Sequence, residues 1–203
     1  GKLTNLMGRI GYKLNAQWSA SLLLLSADNT AGDPGHATTL VGKGDQYNTR
    51  GNLVALTVAH DHDWIKGAFK AYANNGQAEQ IPGFTSKFSM SGIRWKEDIN
   101  AWSGGKVLVG VDMDELSGEV SPIGFDSEAL TLNSPYVAVS HTANLGQGWT
   151  ITPSAGVRGY SHNILGDSSA PHMGVVLQSA EHFALRVNVS KGVNYPGLDA
   201  AVL

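Results

Sequence analysis

Lys106-Val-Leu-Val-Gly-Val-Asp-Met-Asp114 decides the fold: Val107, Val109, Val111 and Met113 recur at every second position, with Lys106, Leu108, Gly110, Asp112 and Asp114 between them. A period of two puts successive side chains on opposite faces of an extended chain, so the stretch reads as a strand with one apolar face. The same alternation returns at Phe183, Leu185, Val187 and Val189 against Ala184, Arg186, Asn188 and Ser190. It returns again at Ile151, Pro153, Ala155 and Val157 against Thr152, Ser154, Gly156 and Arg158, where the proline restricts its position to an edge, a bulge or a strand start. Less regular runs at 5–14, 16–27, 49–60, 64–73, 86–95, 135–143 and 172–179 bring the expected number of strands to about ten. Helical spacing is scarce, so the expected fold is all-β, an antiparallel up-and-down meander over a single unit, residues 1–203.

The connections fall into two alternating classes. Short joins are expected near Asn15, at Asp61-His62-Asp63, around Glu97 to Trp102, at Asn144 to Gly148 and at Ala180-Glu181, with longer loops at 28–48, 74–85, 115–134 and 162–171. In a meander, alternate connections emerge at opposite edges, and transmembrane β-barrels have short turns at one edge and long loops at the other. Trp18, Trp64, Trp95, Trp102, Trp149 and Tyr12 lie close to the short joins, while Tyr72, Tyr136 and Tyr160 lie toward the long loops. Two aromatic belts of this kind are what the two membrane interfaces select. The meander is therefore expected to be part of a transmembrane β-barrel, with apolar residues facing lipid and Lys66, Lys70, Asp112, Asp114, Arg158 and Arg186 lining the lumen. Periodicity alone also fits a soluble β-sandwich or barrel that hides its valines and binds, for instance, a carbohydrate with its loops.

Composition narrows the function classes. Charged residues make up 15% of the 203 positions, 25 residues are glycine and the formal net charge is -3, against about 25% charged and 7% glycine in average usage. Lysines and arginines never cluster in a run, so a nucleic-acid partner is not expected. Without cysteine there is no disulfide scaffold, thiolate metal site or cysteine nucleophile. Apolar runs stop at about four residues, such as Leu22 to Leu25, far short of the roughly 20 that a membrane helix needs.

Three segments carry a family resemblance: Thr152-Pro-Ser-Ala-Gly-Val-Arg158-Gly-Tyr160-Ser-His162, then Ala170-Pro171-His172-Met-Gly174, then Val189-Ser-Lys191-Gly192-Val-Asn194-Tyr195-Pro196-Gly197-Leu198. With Val109-Gly-Val-Asp112-Met-Asp114-Glu-Leu-Ser-Gly118, they resemble the central barrel region of TonB-dependent outer-membrane receptors. The resemblance implies a place in the outer membrane of a Gram-negative bacterium and contact with its lipid. It also implies uptake of an iron-siderophore complex, cobalamin or another scarce nutrient. In such receptors an N-terminal plug domain contacts the energy-coupling protein; neither a plug nor a coupling box is recognised here, and the strand count is too small for the full barrel. Both ends are expected on the loop side, which points to a piece of a larger barrel; a small self-contained outer-membrane barrel is the variant reading.

Enzymatic chemistry has little support. His60-Asp61-His62-Asp63 is the one dense group of metal-ligand types, and His60 and His62 at i, i+2 suit zinc or nickel. Aspartates are equally favoured in such a turn for their backbone hydrogen bonds, so no metal is assigned. Asp112 and Asp114 share a strand face and suit either an acidic pair, a hard cation or a charged lumen ladder. His141, His162, His172 and His182 are scattered, and no nucleophile elbow, zinc-protease motif or phosphate loop occurs. No cofactor is expected. The loop residues His36, Lys43, Asp45, Tyr47, Phe125, Asp126 and Glu128 are compatible with a polar ligand without naming one.

Overall fold

A computed structural model describes residues 1–32, 45–121, 125–126, 129–179 and 183–194. Its strands are β1 (Lys2–Lys13), β2 (Trp18–Gly32), β3 (Gln46–Asp61), β4 (Ile65–Ile81), β5 (Phe84–Trp102), β6 (Gly105–Ser121), β7 (Phe125–Asp126), β8 (Leu130–His141), β9 (Ala143–Gly146), β10 (Trp149–His162), β11 (Gly166–Ser179) and β12 (Ala184–Ser190). Ten of them form one antiparallel sheet in the order β1-β2-β3-β4-β5-β6-β8-β10-β11-β12, with the short β7 and β9 flanking β6 and β10. The sequence-derived meander of about ten strands is therefore the observed topology. Among the described residues β1 pairs with β2 alone and β12 with β11 alone, leaving both edges of the sheet open.

Residues directly opposite each other in a ladder share a face, so the register carries one face across the whole sheet. From Val107, Val109 and Val111 it runs through Val139, Val137 and Pro135 on β8, then Ala155 and Val157 on β10. It continues through Met173 and Pro171 on β11 to Val189 and Val187 on β12. In the other direction it passes Ile99 and Trp95 on β5 and Ile65 and Phe69 on β4, then reaches Leu56 on β3, Leu22 on β2 and Ile10 on β1. The opposite face holds all six lumen candidates.

The apolar face is the more open one. Val137 and Val139 on β8 are 46% and 42% exposed, whereas Ala138 between them is half-buried. Only Ala55 and Leu130 are buried apolar side chains among the described residues, so the sheet has no hydrophobic core and no second layer. A single sheet whose polar side is the more crowded is curled toward that side, and the polar face is called concave below.

The connections depart from expectation. β4 runs to Ile81 and β5 starts at Phe84, so the loop expected at 74–85 is a tight turn through the cis Ile81–Pro82 bond. Likewise β10 and β11 are separated only by residues 163–165, and β6 and β8 extend far into the region expected as the 115–134 loop. The reason is visible in the ladder: Asn75, Gln77 and Glu79 lie on the same face as Phe69 but are polar, so the alternation of apolarity fades while the strand pairing continues to Ile81. The segment 97–102, expected as a turn, belongs to β5, and the turn is at residues 103–104. Short joins do share one edge, where Asn15 Oδ1 accepts from the Gln17 and Trp18 amides at 2.9 and 2.8 Å.

The second aromatic belt is also corrected. Tyr72, Tyr136 and Tyr160 lie on the concave face, where the first two meet charged side chains, and only the tryptophan belt at the short-turn edge remains on the apolar side. Loop positions His36, Lys43, Glu128 and His182, and the end of the third resemblance segment from Tyr195 onward, lie outside the described residues, as do the side chains of Phe125 and Asp126.

Candidate functional site

On the concave face, β4, β5, β6, β8 and β10 bring a charged ladder to mid-strand. Arg158 Nη1 donates to Asp112 Oδ2 at 3.0 Å, and its guanidinium lies 4.5 Å from the centre of the Tyr136 ring. Asp114 accepts from the Tyr72 hydroxyl, and Arg94 Nη2 reaches both of its oxygens at 3.4 Å. Arg94 also stands 5.5 Å from the Tyr72 ring centre, and Lys70 Nζ stands 5.8 Å from it on the same strand as the tyrosine. Gly110 makes room for this: a Cβ there would collide with the Tyr136 ring and with the Trp95 carbonyl oxygen.

Toward the short-turn edge Lys66 Nζ pairs with Asp61 at 2.8 Å and Lys96 Nζ with Asp98 at 2.8 Å. Register places Arg186 on β12 opposite Val176, apart from the ladder. Of the six expected lumen residues, four thus join one connected region, Lys66 sits at its edge and Arg186 stands alone. Asp112 and Asp114 each have their own arginine. That arrangement is a charged wall of paired carboxylates and arginines. Arg94, Tyr72 and Tyr136, on the same face, were missed; the alternation Arg94, Lys96, Asp98 was the available signal.

A second cluster occupies the apolar face at the short-turn edge. His60 Nε2 lies 3.2 Å from Glu97 Oε1 in hydrogen-bonding alignment and 3.0 Å from Oε2 out of alignment. Trp95 Nε1 donates to Glu97 Oε1 at 2.9 Å, and Trp18 stacks against His60 with ring centres 5.0 Å apart. His60 and His62 do face the same way, 5.3 Å between ring centres, yet no group of three metal-ligand side chains with suitable placement occurs among the described residues. The carboxylate rests over Gly67, where any Cβ would overlap it. Glu97 was hidden from sequence reading because its segment looked like a turn. Farther along the same rim Trp102 Nε1 donates to His141 Nδ1 at 3.1 Å.

No protein-family model matches the chain. No curated protein matches it either. Among solved structures, the siderophore receptor PirA from Pseudomonas aeruginosa is similar at 14% identity and a TM-score of 0.79, over 97% of this chain and 34% of that one. PirA from Acinetobacter baumannii gives 16% identity and a TM-score of 0.75, over 96% of this chain and 34% of that one. The FrpB iron transporter from Neisseria meningitidis gives 12% and 0.72, over 92% and 36%. At these identities the likeness is one of fold: the meander has the architecture of part of a β-barrel. The chain spans about a third of the length of these proteins. The neighbours are named as receptors and transporters rather than enzymes.

Proposed function

We propose that the chain is a section of a receptor barrel in the outer membrane of a Gram-negative bacterium, resembling the TonB-dependent receptors, and that it forms part of the wall through which a scarce nutrient such as a metal chelate is taken up. The observation that carries this reading is the inverted exposure of the sheet. Moving a valine or leucine side chain out of water stabilises by about 1.5–3 kcal/mol, and this sheet leaves large apolar side chains exposed across its convex face, from Ile10, Leu22 and Leu56 through Phe69 and Ile93 to Val137, Val157 and Val187. Hydrocarbon is the solvent that makes that arrangement favourable, since a paired sheet already satisfies its backbone groups. Nine residues at 65–73 of β4, at roughly 3.3 Å each and tilted by about 40°, span close to the apolar height of about 25 Å found in outer-membrane barrels. The open edges at β1 and β12 are the places where further strands of a larger barrel pair. The lumen is lined by Lys66, Lys70, Asp112, Asp114, Arg158 and Arg186, and contact with the energy-coupling protein belongs to a plug domain rather than to these strands.

The test is partitioning between buffer and phosphatidylcholine vesicles or detergent, with a heat-modifiable gel shift reporting a folded sheet. Folding only with the amphiphile supports the reading. A monodisperse protein that unfolds cooperatively in plain buffer overturns it and returns the loops of a soluble binding module as the place to seek a ligand.

A further inference from the structure

A buried nitrogen at the short-turn rim is left unused by the fold. His60 Nδ1 has no hydrogen-bond partner among the described residues, although the atom is shut off from solvent. The other ring nitrogen is taken. Nε2 lies 3.2 Å from Glu97 Oε1, and that carboxylate also accepts from the Trp95 indole at 2.9 Å and is seated over Gly67. With the ring proton on Nε2, where the carboxylate accepts it, Nδ1 carries a lone pair. A buried lone pair with no donor costs free energy, and an ion that takes it relieves that cost. The strands that build this corner, β2, β3, β4 and β5, are each paired on both sides, so the missing partner does not follow from an open edge. Two rings flank His60: Trp18 with centres 5.0 Å apart and His62 with centres 5.3 Å apart. Trp18, edge-on to His62 at 6.2 Å, covers the corner but has only a donor to offer. His62 brings a second imidazole, held at the start of the β3–β4 turn by its amide, which donates to the Ile65 carbonyl oxygen at 2.9 Å.

We propose that His60 Nδ1 and His62 together hold a divalent cation of the imidazole-preferring kind, such as zinc, nickel or copper, with Glu97 orienting His60 from behind and water completing the shell. Two nitrogens bound to one ion at 2.0–2.1 Å each stand about 3.3 Å apart in tetrahedral geometry. Rings 5.3 Å apart and inclined at 44° are placed to supply that separation. A carboxylate that accepts the other ring proton of a ligating histidine fixes its tautomer and raises its basicity, and Glu97 already occupies that position. Magnesium and calcium prefer oxygen ligands and are poorly served by two imidazoles. No third metal-ligand side chain is in place among the described residues, so the ion is exchangeable, unlike one enclosed by four protein ligands. When bound it ties the turn at His62 to β3 and, through Glu97, to β5. The site stands on the pairing of β2 to β5 and goes beyond the barrel reading, because it does not depend on what passes along the concave face.

The experiment titrates the untagged 203-residue chain, folded in detergent micelles as confirmed by the heat-modifiable shift, with zinc chloride in a calorimeter, magnesium chloride serving as the hard-cation control. One zinc per chain is expected, with no heat from magnesium and an unfolding temperature that rises with zinc. NMR of the imidazole nitrogens is expected to show zinc moving the His60 Nδ1 resonance while the proton stays on Nε2. His62→Asn is expected to weaken zinc binding about tenfold or more and to remove the temperature shift. Glu97→Gln, which changes only the group behind the ligand, is expected to weaken it by about 10–100-fold with the stoichiometry unchanged. His141→Gln, at the partner of Trp102 farther along the rim, is expected to leave binding as it was. His60→Gln also strips Glu97 of its partner and endangers the fold, so His62→Asn in the turn and the spectra of the unmodified chain carry the test. Undiminished binding by His62→Asn overturns the inference, as does a zinc shift at Nε2 in place of Nδ1, an equal response to magnesium, or binding lost with His141→Gln. Should the chain fold in plain buffer and not in micelles, the barrel reading falls and the same titration in buffer decides the metal site, so the two fail separately.

Discussion

Residues 65–73 and 74–81 are two halves of one strand, β4, paired residue for residue with β3 on one side and β5 on the other. In the first half one face reads Ile65, Phe69, Ala71 and Ala73; in the second the same face reads Asn75, Gln77 and Glu79. The backbone ladder does not change between them, so what changes is the solvent the side chains are suited to. Hydrocarbon demands apolar groups and full backbone pairing, whereas water tolerates any side chain the ladder can hold. The second half also replaces apolar contacts with polar ones across strands: Ser89 donates to Asn75 at 2.8 Å, Arg50 pairs with Asp28 at 3.1 Å, and Lys87 pairs with Glu119.

That comparison breaks most visibly at Glu97, a carboxylate inside the apolar half. Its side chain is 12% exposed and leans on His60 and Trp95. Removing a hydrogen-bond partner from a buried carboxylate costs about 3 kcal/mol or more, because a charged acceptor is left short of a donor. His60→Leu is therefore expected to lower stability in vesicles by that order, and the double change with Glu97→Gln to recover much of it; urea unfolding followed by the gel shift reads both. Stability of the double variant no better than His60→Leu would mean that the pair is not the source of the cost.

Next comes a charge placed into the band. Val109→Lys is expected to cost about 2–4 kcal/mol at the midplane of a bilayer, while Ser89→Lys in the polar half should stay within about 0.5 kcal/mol. Equal losses at both sites would erase the distinction between the halves. A smaller loss, about 1–3 kcal/mol by overpacking, is expected for Gly110→Ala, whose new methyl meets the Tyr136 ring; loss of the packing between Arg158 and Tyr136 should accompany it, measurable as greater mobility of the tyrosine ring by NMR.

The smallest effect is expected at Lys87. Its hydrogen bond to Glu119, followed by the charge of that carboxylate, raises the lysine pKa above its ordinary value. A raised lysine contributes stability in full below the ordinary lysine range near 10.4 and loses it only as pH climbs through the raised value. Lys87→Ala should therefore lower vesicle stability slightly, by an amount that stays constant across neutral pH and vanishes in strong alkali. A marked loss at neutral pH would show that the polar half depends on ion pairs rather than on its ladder.

The apolar half was legible because an apolar face on an extended chain imposes a period of two on the residues themselves: Val107, Val109 and Val111 announce their face without any partner in view. The polar half was read as loop because Asn74, Asn75, Gln77 and Gln80 obey no such rule, although the ladder runs through them to Ile81. Lys66, Lys70, Asp112, Asp114, Arg158 and Arg186 were placed on a common face by counting alone, and register agrees. Their partners were not legible, since Arg158 meets Asp112 across 46 residues and Tyr72 meets Asp114 across 42. The tyrosines looked like an interfacial belt because distance from a turn was all that sequence offered; the side of the sheet to which they point decided otherwise.

By itself, then, the sequence determined the fold class, the order of strands and the parity of each face, all of which are local consequences of alternation along a chain. Only the tertiary structure decided where strands end and which charges on the concave face neutralise one another. Those depend on the register between strands distant in sequence, and a shift of one residue there would send every one of these side chains to the opposite face.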